Sequence, residues 1–158
     1  HIVIEALAEL QGVHLYIAGD GPDLKHLQQL AITQGVAERV HFLGSRSQSE
    51  LRDYYGAADA LVLASSREGW ANVLLEAMAC GVSVVMPNAS AFPEVVNSAE
   101  CGVLVTPGSA GDLARGLQEM LDDPEREVVG KKGRRAVEER YHVGAMALNF
   151  EKIFLRRW

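Results

Sequence analysis

The sequence predicts an α/β fold: a parallel sheet with helices on both faces. Two observations predict it. Short apolar runs of strand length alternate with stretches of helical periodicity along the chain, and a glycine-containing turn follows most of the runs. Strands joined through helices must pair in parallel, and such a sheet is buried on both faces. With 158 residues and 48% hydrophobic side chains, the chain can enclose one core, and it reads as a single domain over residues 1–158.

In order, His1 to Leu10 carries apolar residues at helical spacing, and Val13 to Ala18 reads as a buried strand. Gly19-Asp20-Gly21-Pro22 is a turn leading into a helix over Asp23 to Gln34, with Leu24, Leu27, Leu30 and Ala31 on one face and Gly35 at its end. Val40 to Leu43 is a short strand broken by Gly44. Ser47 to Gly56 is helical, with Ser47 and Glu50 spaced as a capping box. Ala60 to Leu63 is a strand, Ala64 to Ala71 a loop, Asn72 to Cys80 a helix ended by Gly81, and Val82 to Met86 a strand. Ala91 to Asn97 is a short helix and Val103 to Val105 a last strand. Helices follow over Gly111 to Leu121, Pro124 to Tyr141 and Ala145 to Trp158, with Pro124 in the first turn of the second.

Composition excludes several classes. A net charge of -6 argues against a nucleic-acid partner, whose binders are normally basic. No apolar stretch approaches the ~20 residues of a membrane-spanning helix, and the start lacks the basic-then-apolar pattern of a signal peptide. Cys80 and Cys101 sit among small apolar residues and read as buried free thiols, which fits a reducing, cytoplasmic compartment. His14, His26, His41 and His142 have no spacing that suggests metal ligation. Lys131, Lys132, Arg134, Arg135 and Arg140 form a basic helix face interleaved with Glu127, Glu138 and Glu139. It reads as a solvated, salt-bridged face, with docking to anionic lipid as the alternative.

In parallel sheets ligands sit at the carboxyl ends of strands, where loops feed helix starts. The segment Ser65-Ser66-Arg67-Glu68-Gly69-Trp70-Ala71-Asn72-Val73-Leu74-Leu75-Glu76-Ala77-Met78-Ala79-Cys80-Gly81 occupies such a place. Glu68 falls in the loop and Glu76 in the first or second turn of the next helix, so both can face one pocket. Gly69 lets a ligand approach the backbone, and the amides of Asn72 to Leu74 lie at the positive end of the helix dipole, suited to phosphate. A carboxylate accepts from two vicinal hydroxyls, as in a ribose diol. A glutamate near a helix start is also favourable there without any ligand. The Gly19 turn is not a dinucleotide fingerprint, since Leu24 stands where a third glycine would be, and there is no G-x-x-x-x-G-K-[ST] phosphate loop.

The run as a whole resembles the Glu-x7-Glu signature of family 4 of the GT-B glycosyltransferases, E-G-x-P-x-x-L-L-E-A-M-A-x-G. It matches at Glu68, Gly69, Leu74, Leu75, Glu76, Ala77, Met78, Ala79 and Gly81, and departs at Ala71, where the family usually has proline. Ile17 to Pro22, Val40 to Gly44, Tyr55 to Leu63 and Pro93-Glu94-Val95-Val96 resemble further family landmarks, and the similarity runs through nearly the whole chain. The loop before Pro93 reads Asn88-Ala89-Ser90-Ala91-Phe92, where the family usually has two glycines.

The resemblance implies a Rossmann-like three-layer domain, the C-terminal, donor-binding half of a GT-B fold. The family's first strand, central in its sheet, and its N-terminal acceptor-binding domain are not in the sequence. It implies retaining transfer of a sugar from a nucleoside diphosphate sugar to a glycan or lipid-linked acceptor, in cell-surface polysaccharide or glycolipid synthesis, with no cofactor and no essential metal. Glu68 takes the catalytic position beside the transferred sugar, and Glu76 takes the ribose hydroxyls. Gly69, Trp70, Ala71, Asn72, Val73 and Leu74 line sugar and phosphate, Leu43, Gly44, Ser45 and Arg46 border the base, and Gly19 lies in the neighbouring turn. Such an enzyme works in the cytoplasm or at the inner face of the membrane through peripheral contact, and this chain without the acceptor domain is expected to be inactive. The alternative readings are a non-catalytic interaction module of the same fold and a GT-B sugar-nucleotide epimerase.

Overall fold

A computed structural model describes residues 1–65, 72–145, 147–148 and 151. Five strands and seven α-helices alternate along these residues: α1 (Ile2–Ala8), β1 (Leu15–Ala18), α2 (Leu24–Thr33), β2 (Val40–Gly44), α3 (Gln48–Ala57), β3 (Ala60–Val62), α4 (Asn72–Ala79), β4 (Ser83–Pro87), α5 (Phe92–Ala99), β5 (Gly102–Val105), α6 (Ala110–Asp122) and α7 (Arg126–Ala136). All strand pairings are parallel, in the order β2-β1 and β3-β4-β5.

Side chains alternate across the second ladder, as the period of a strand requires. From β4, Val84 and Met86 enter a core with Leu74 and Met78 of α4, Phe92, Val95 and Val96 of α5, and Ala136 of α7. Val85 points the other way, into a core with Ala6, Leu113, Leu117 and Met120 from α1 and α6. All five residues of β4 are buried, which explains why its sequence is a continuous apolar run. Beside β1 and β2, Ile4 and Leu7 of α1 pack with Ala31, Val36 and Val40, with Leu15, Ile17 and Leu27 against them. The predicted face of α2 is the face that packs.

The sheet differs from expectation in one respect: it is divided into two ladders. β1 and β3 share no hydrogen-bonded register among the described residues. Helix α1 spans the division. Ile4 and Leu7 belong to the core beside β1 and β2, while Ala6 packs in the core that Ala60 and Val62 of β3 border.

Further differences have local causes. A 3₁₀ turn over Ala37–Arg39 carries Arg39 beneath α1, where its guanidinium donates to the carbonyls of Leu10 at 2.8 Å, Leu7 at 3.1 Å and Val13 at 3.3 Å. It thereby ties the end of α1 to the segment that leads into β1. Pro124 falls before α7, not in its first turn: the Asp123 carboxylate accepts from the Glu125 amide at 2.8 Å, forming a turn that delays the helix to Arg126. The helix expected from Pro124 to Tyr141 changes hydrogen-bond pattern at its end, where Val137–Tyr141 is π-helical. Cys101 is buried as expected, and burial pushes its thiol up to about 11. Cys80, at the end of α4, is half-buried.

Helix α7 lies close to the start of β4. A Cβ at Gly130 would stand 2.0 Å from the Gly81 carbonyl oxygen, and one at Gly133 would stand 2.9 Å from Cys101 Cβ. Alanine gains ~1 kcal/mol over glycine in a helix interior, but the backbone contact outweighs it. Gly130→Ala is expected to lower the free energy of unfolding by roughly 1–3 kcal/mol, a typical overpacking cost, as measured by urea denaturation. An unchanged or raised midpoint would contradict this packing.

Candidate functional site

Parallel pairing brings the carboxyl ends of the strands to one edge, and most of the sequence-predicted site residues lie on it. Gly19, after β1, donates its amide to the Gly44 carbonyl at 2.9 Å, and the two residues form a bridge beyond the ladder. Asp20 then reaches across, its carboxylate accepting from the Ser45 amide at 2.8 Å. The register shifts between Ile17 and Ala18, and Gly44 turns with φ +69°, a conformation that side chains with a Cβ rarely adopt. Gly19, Gly44 and Ser45 are thus joined in one double loop, pinned by Asp20. Leu43 leads into it at the end of β2.

Arg46 leaves the double loop and points along α3, 3.6 Å from Glu50. Both halves of the capping box predicted for this helix are present. The Ser47 hydroxyl accepts from the Glu50 amide, and the Glu50 carboxylate accepts from the Ser47 amide at 2.8 Å. These bonds from Ser47, with the Arg46 guanidinium nearby, hold the Glu50 carboxyl below its ordinary range.

Helix α4 carries the second half of the predicted site. Asn72 and Val73 open it, and Leu74 is buried, its side chain in the core and only its backbone left for other contacts. Glu76 falls in the second turn and is half-buried. Its Oε2 accepts a hydrogen bond from the Tyr55 hydroxyl of α3 at 3.2 Å. Burial, and then the negative charge of Glu76, push the Tyr55 phenol up to about 12, so it stays protonated and donates. Tyr55 was not foreseen as part of the site. The signal available was its spacing, since Leu51 and Tyr55 lie four residues apart on the half-buried side of α3. Helix α3 thus runs from the loop of Ser45 and Arg46 to a contact with Glu76.

Glu68, Gly69, Trp70 and Ala71 lie outside the described residues, as does Arg67, so the relation of Glu68 to Glu76 does as well. At the near end of that segment, the Ser65 hydroxyl is buried with no hydrogen-bond partner among the described residues. A small cleft opens at the ends of β3, β4 and β5, bordered by Leu63, Ala64, Pro87, Thr106 and Ser109.

The other polar clusters have internal partners. His14 Nδ1 lies 3.1 Å from His41 Nε2, with Tyr16 stacked on His41, so these two histidines bond to each other across the β1–β2 ladder. On the basic face, Lys131 pairs with Glu127, Lys132 with Glu100 and Arg134 with Glu138, while Arg140 donates to the Ser98 carbonyl. Three of its five cations are therefore in ion pairs, as a salt-bridged face requires. No helix among the described residues is long and apolar enough to cross a membrane.

Residues 1–136 match the family described as glycosyl transferases, group 1. The chain belongs to this family. Its fold is the Rossmann-like architecture of GT-B glycosyltransferases. Among similar proteins, the lipopolysaccharide core biosynthesis glycosyltransferase LpsE of Rhizobium meliloti is 37% identical over 123 residues, covering 78% of this chain and 36% of LpsE. The crystal structure of Anabaena Alr3699/HepE in complex with UDP superposes with a TM-score of 0.89 at 27% identity, covering 99% of this chain and 44% of that one. The C-terminal domain of a group 1 glycosyltransferase, LpcC from Francisella tularensis, superposes at 0.78 with 29% identity, covering 90% of this chain and 78% of that domain. This glycosyltransferase chain thus spans less than half the length of LpsE and HepE.

The capping box makes a pH-dependent contribution of known sign. A carboxyl held below its unfolded value stabilises the fold at pH values above the unfolded range, and that contribution fades as pH falls through the lowered folded value. The melting temperature of Glu50→Gln should therefore lie below that of wild type at neutral pH, and the gap should close on acidification through the carboxylate range. A gap that stays constant with pH would contradict the assignment.

Proposed function

We propose that the chain is the donor-binding half of a retaining glycosyltransferase. The reaction is transfer of a sugar from a nucleoside diphosphate sugar to a glycan or lipid-linked acceptor, in the synthesis of cell-surface polysaccharide or glycolipid. One observation carries the reading. Glu76, at the second turn of α4, is half-buried and held by Tyr55, in a chain of this family whose fold matches that of a protein solved with UDP.

In this reading Glu76 accepts from the ribose hydroxyls, as an ionised carboxylate with acceptor sites in addition to the one Tyr55 occupies. The backbone of Asn72, Val73 and Leu74 meets the diphosphate at the amino end of α4, where the helix dipole favours anions. The double loop of Gly19, Leu43, Gly44 and Ser45, with Arg46, borders the base. Glu68 meets the transferred sugar, and Gly69, Trp70 and Ala71 contact sugar and phosphate. As the sugar's bond to the diphosphate breaks, negative charge builds on the leaving group, and donors already aimed at it lower the barrier. The transfer needs no essential metal in this reading, and the acceptor is held by an N-terminal domain of the whole protein. A lipid-linked acceptor would bring the enzyme to the inner face of the membrane.

Binding is measurable on this chain alone. A nucleoside diphosphate bound at 100 times its Kd adds about 2.7 kcal/mol of stability, which raises the melting temperature of a 150-residue domain by several degrees. UDP, GDP and ADP should be compared at millimolar concentration. One of them is expected to raise the melting temperature, and Glu76→Ala should remove most of the rise. No shift with any of the three would contradict the reading.

A further inference from the structure

The carboxyl torsion at the end of a glutamate is broad and roughly two-fold, so an untethered carboxylate samples many planes. At Glu76 this freedom is limited from outside the helix. Tyr55 approaches from α3, and its hydroxyl donates to Oε2 at 3.2 Å. A phenol can only donate to an ionised carboxylate. The bond therefore has one polarity, and it takes up one of the carboxylate's acceptor sites, leaving the others without a hydrogen-bond partner among the described residues. The other end of the tether is also fixed, because α3 is locked at its start by the Ser47–Glu50 capping box and packs on α4.

We propose that Tyr55 is a positioning residue. By holding Oε2 it sets the plane of the Glu76 carboxylate, so that this group recognises the adjacent 2′ and 3′ hydroxyls of a ribose together and discriminates against a sugar lacking one of them. The inference rests on the reading that Glu76 meets the ribose of a nucleoside diphosphate. Two hydroxyls on neighbouring carbons present their protons along nearly parallel directions, and a carboxylate accepts both only when its plane contains them. Without the tether the carboxylate must be ordered at the moment of binding, and the entropy of doing so is subtracted from the affinity. A tyrosine serving only to pack α3 on α4 would affect stability and every ligand alike.

Isothermal titration separates these roles. Wild type, Tyr55→Phe, Glu76→Ala and the double variant are titrated with whichever of UDP, GDP and ADP binds, and with its 2′-deoxy and 3′-deoxy forms. The temperature is chosen so that the circular dichroism spectrum of each variant matches that of wild type. Wild type should prefer the ribonucleotide about tenfold, the scale of one hydrogen bond to a charged group. Tyr55→Phe should lose most of that preference while binding the deoxy forms as wild type does. Glu76→Ala should show none, and the double variant should behave as Glu76→Ala does. If Tyr55→Phe keeps the preference, or weakens all the ligands equally, the positioning role is overturned. If wild type shows no preference, or Glu76→Ala retains it, the ribose reading itself fails.

Discussion

Parallel strand pairing is the constraint from which the rest of this structure follows. Each strand must return to the same end of the sheet before the next begins, so a helix intervenes and every strand-to-helix loop emerges on one edge. Five short strands thereby bring residues from distant parts of the sequence to that edge: Gly19 after β1, Ser45 after β2, Ser65 after β3 and Thr106 after β5. Open parallel sheets of this kind hold ligands outside the carboxyl ends of their strands.

On that edge the polar groups are held by one another. Asp20 pins the Ser45 amide, Ser47 and Glu50 lock the start of α3, and Tyr55 carries that order to Glu76 on α4. Each contact is modest alone, since a hydrogen bond nets about 1 kcal/mol after its exchange with water. Together they keep flexible side chains from having to be ordered by a ligand. The core below supplies the rigidity on which this depends: β4 is buried throughout, and Met78 and Leu74 anchor the inner side of α4 while Glu76 stays at its margin.

Much of this was legible from residue order. Alternating apolar runs and helical periods identified all five strands, because burial on both faces of a parallel sheet leaves little room for polar residues. Ser47 with Glu50 announced a capping box, and the run from Glu68 to Gly81 announced the family. Two of the misses are made by long-range contacts. Arg39 under α1 closes a contact 32 residues away, and Tyr55 meets Glu76 across 21. Local periodicity shows which side of a helix turns inward, but not what it meets there. Pro124 was misplaced for a local reason: the Asp123 side chain captures the Glu125 amide and competes with the helix start.

The central claim is that Glu76, tethered by Tyr55, receives the ribose of a nucleoside diphosphate. A crystal structure of this chain with the bound nucleotide tests it most directly. The account predicts both ribose hydroxyls within hydrogen-bond distance of the Glu76 carboxylate, the Tyr55 hydroxyl still on Oε2, and the diphosphate at the amino end of α4. A nucleotide bound elsewhere, or a ribose facing away from Glu76, would contradict it.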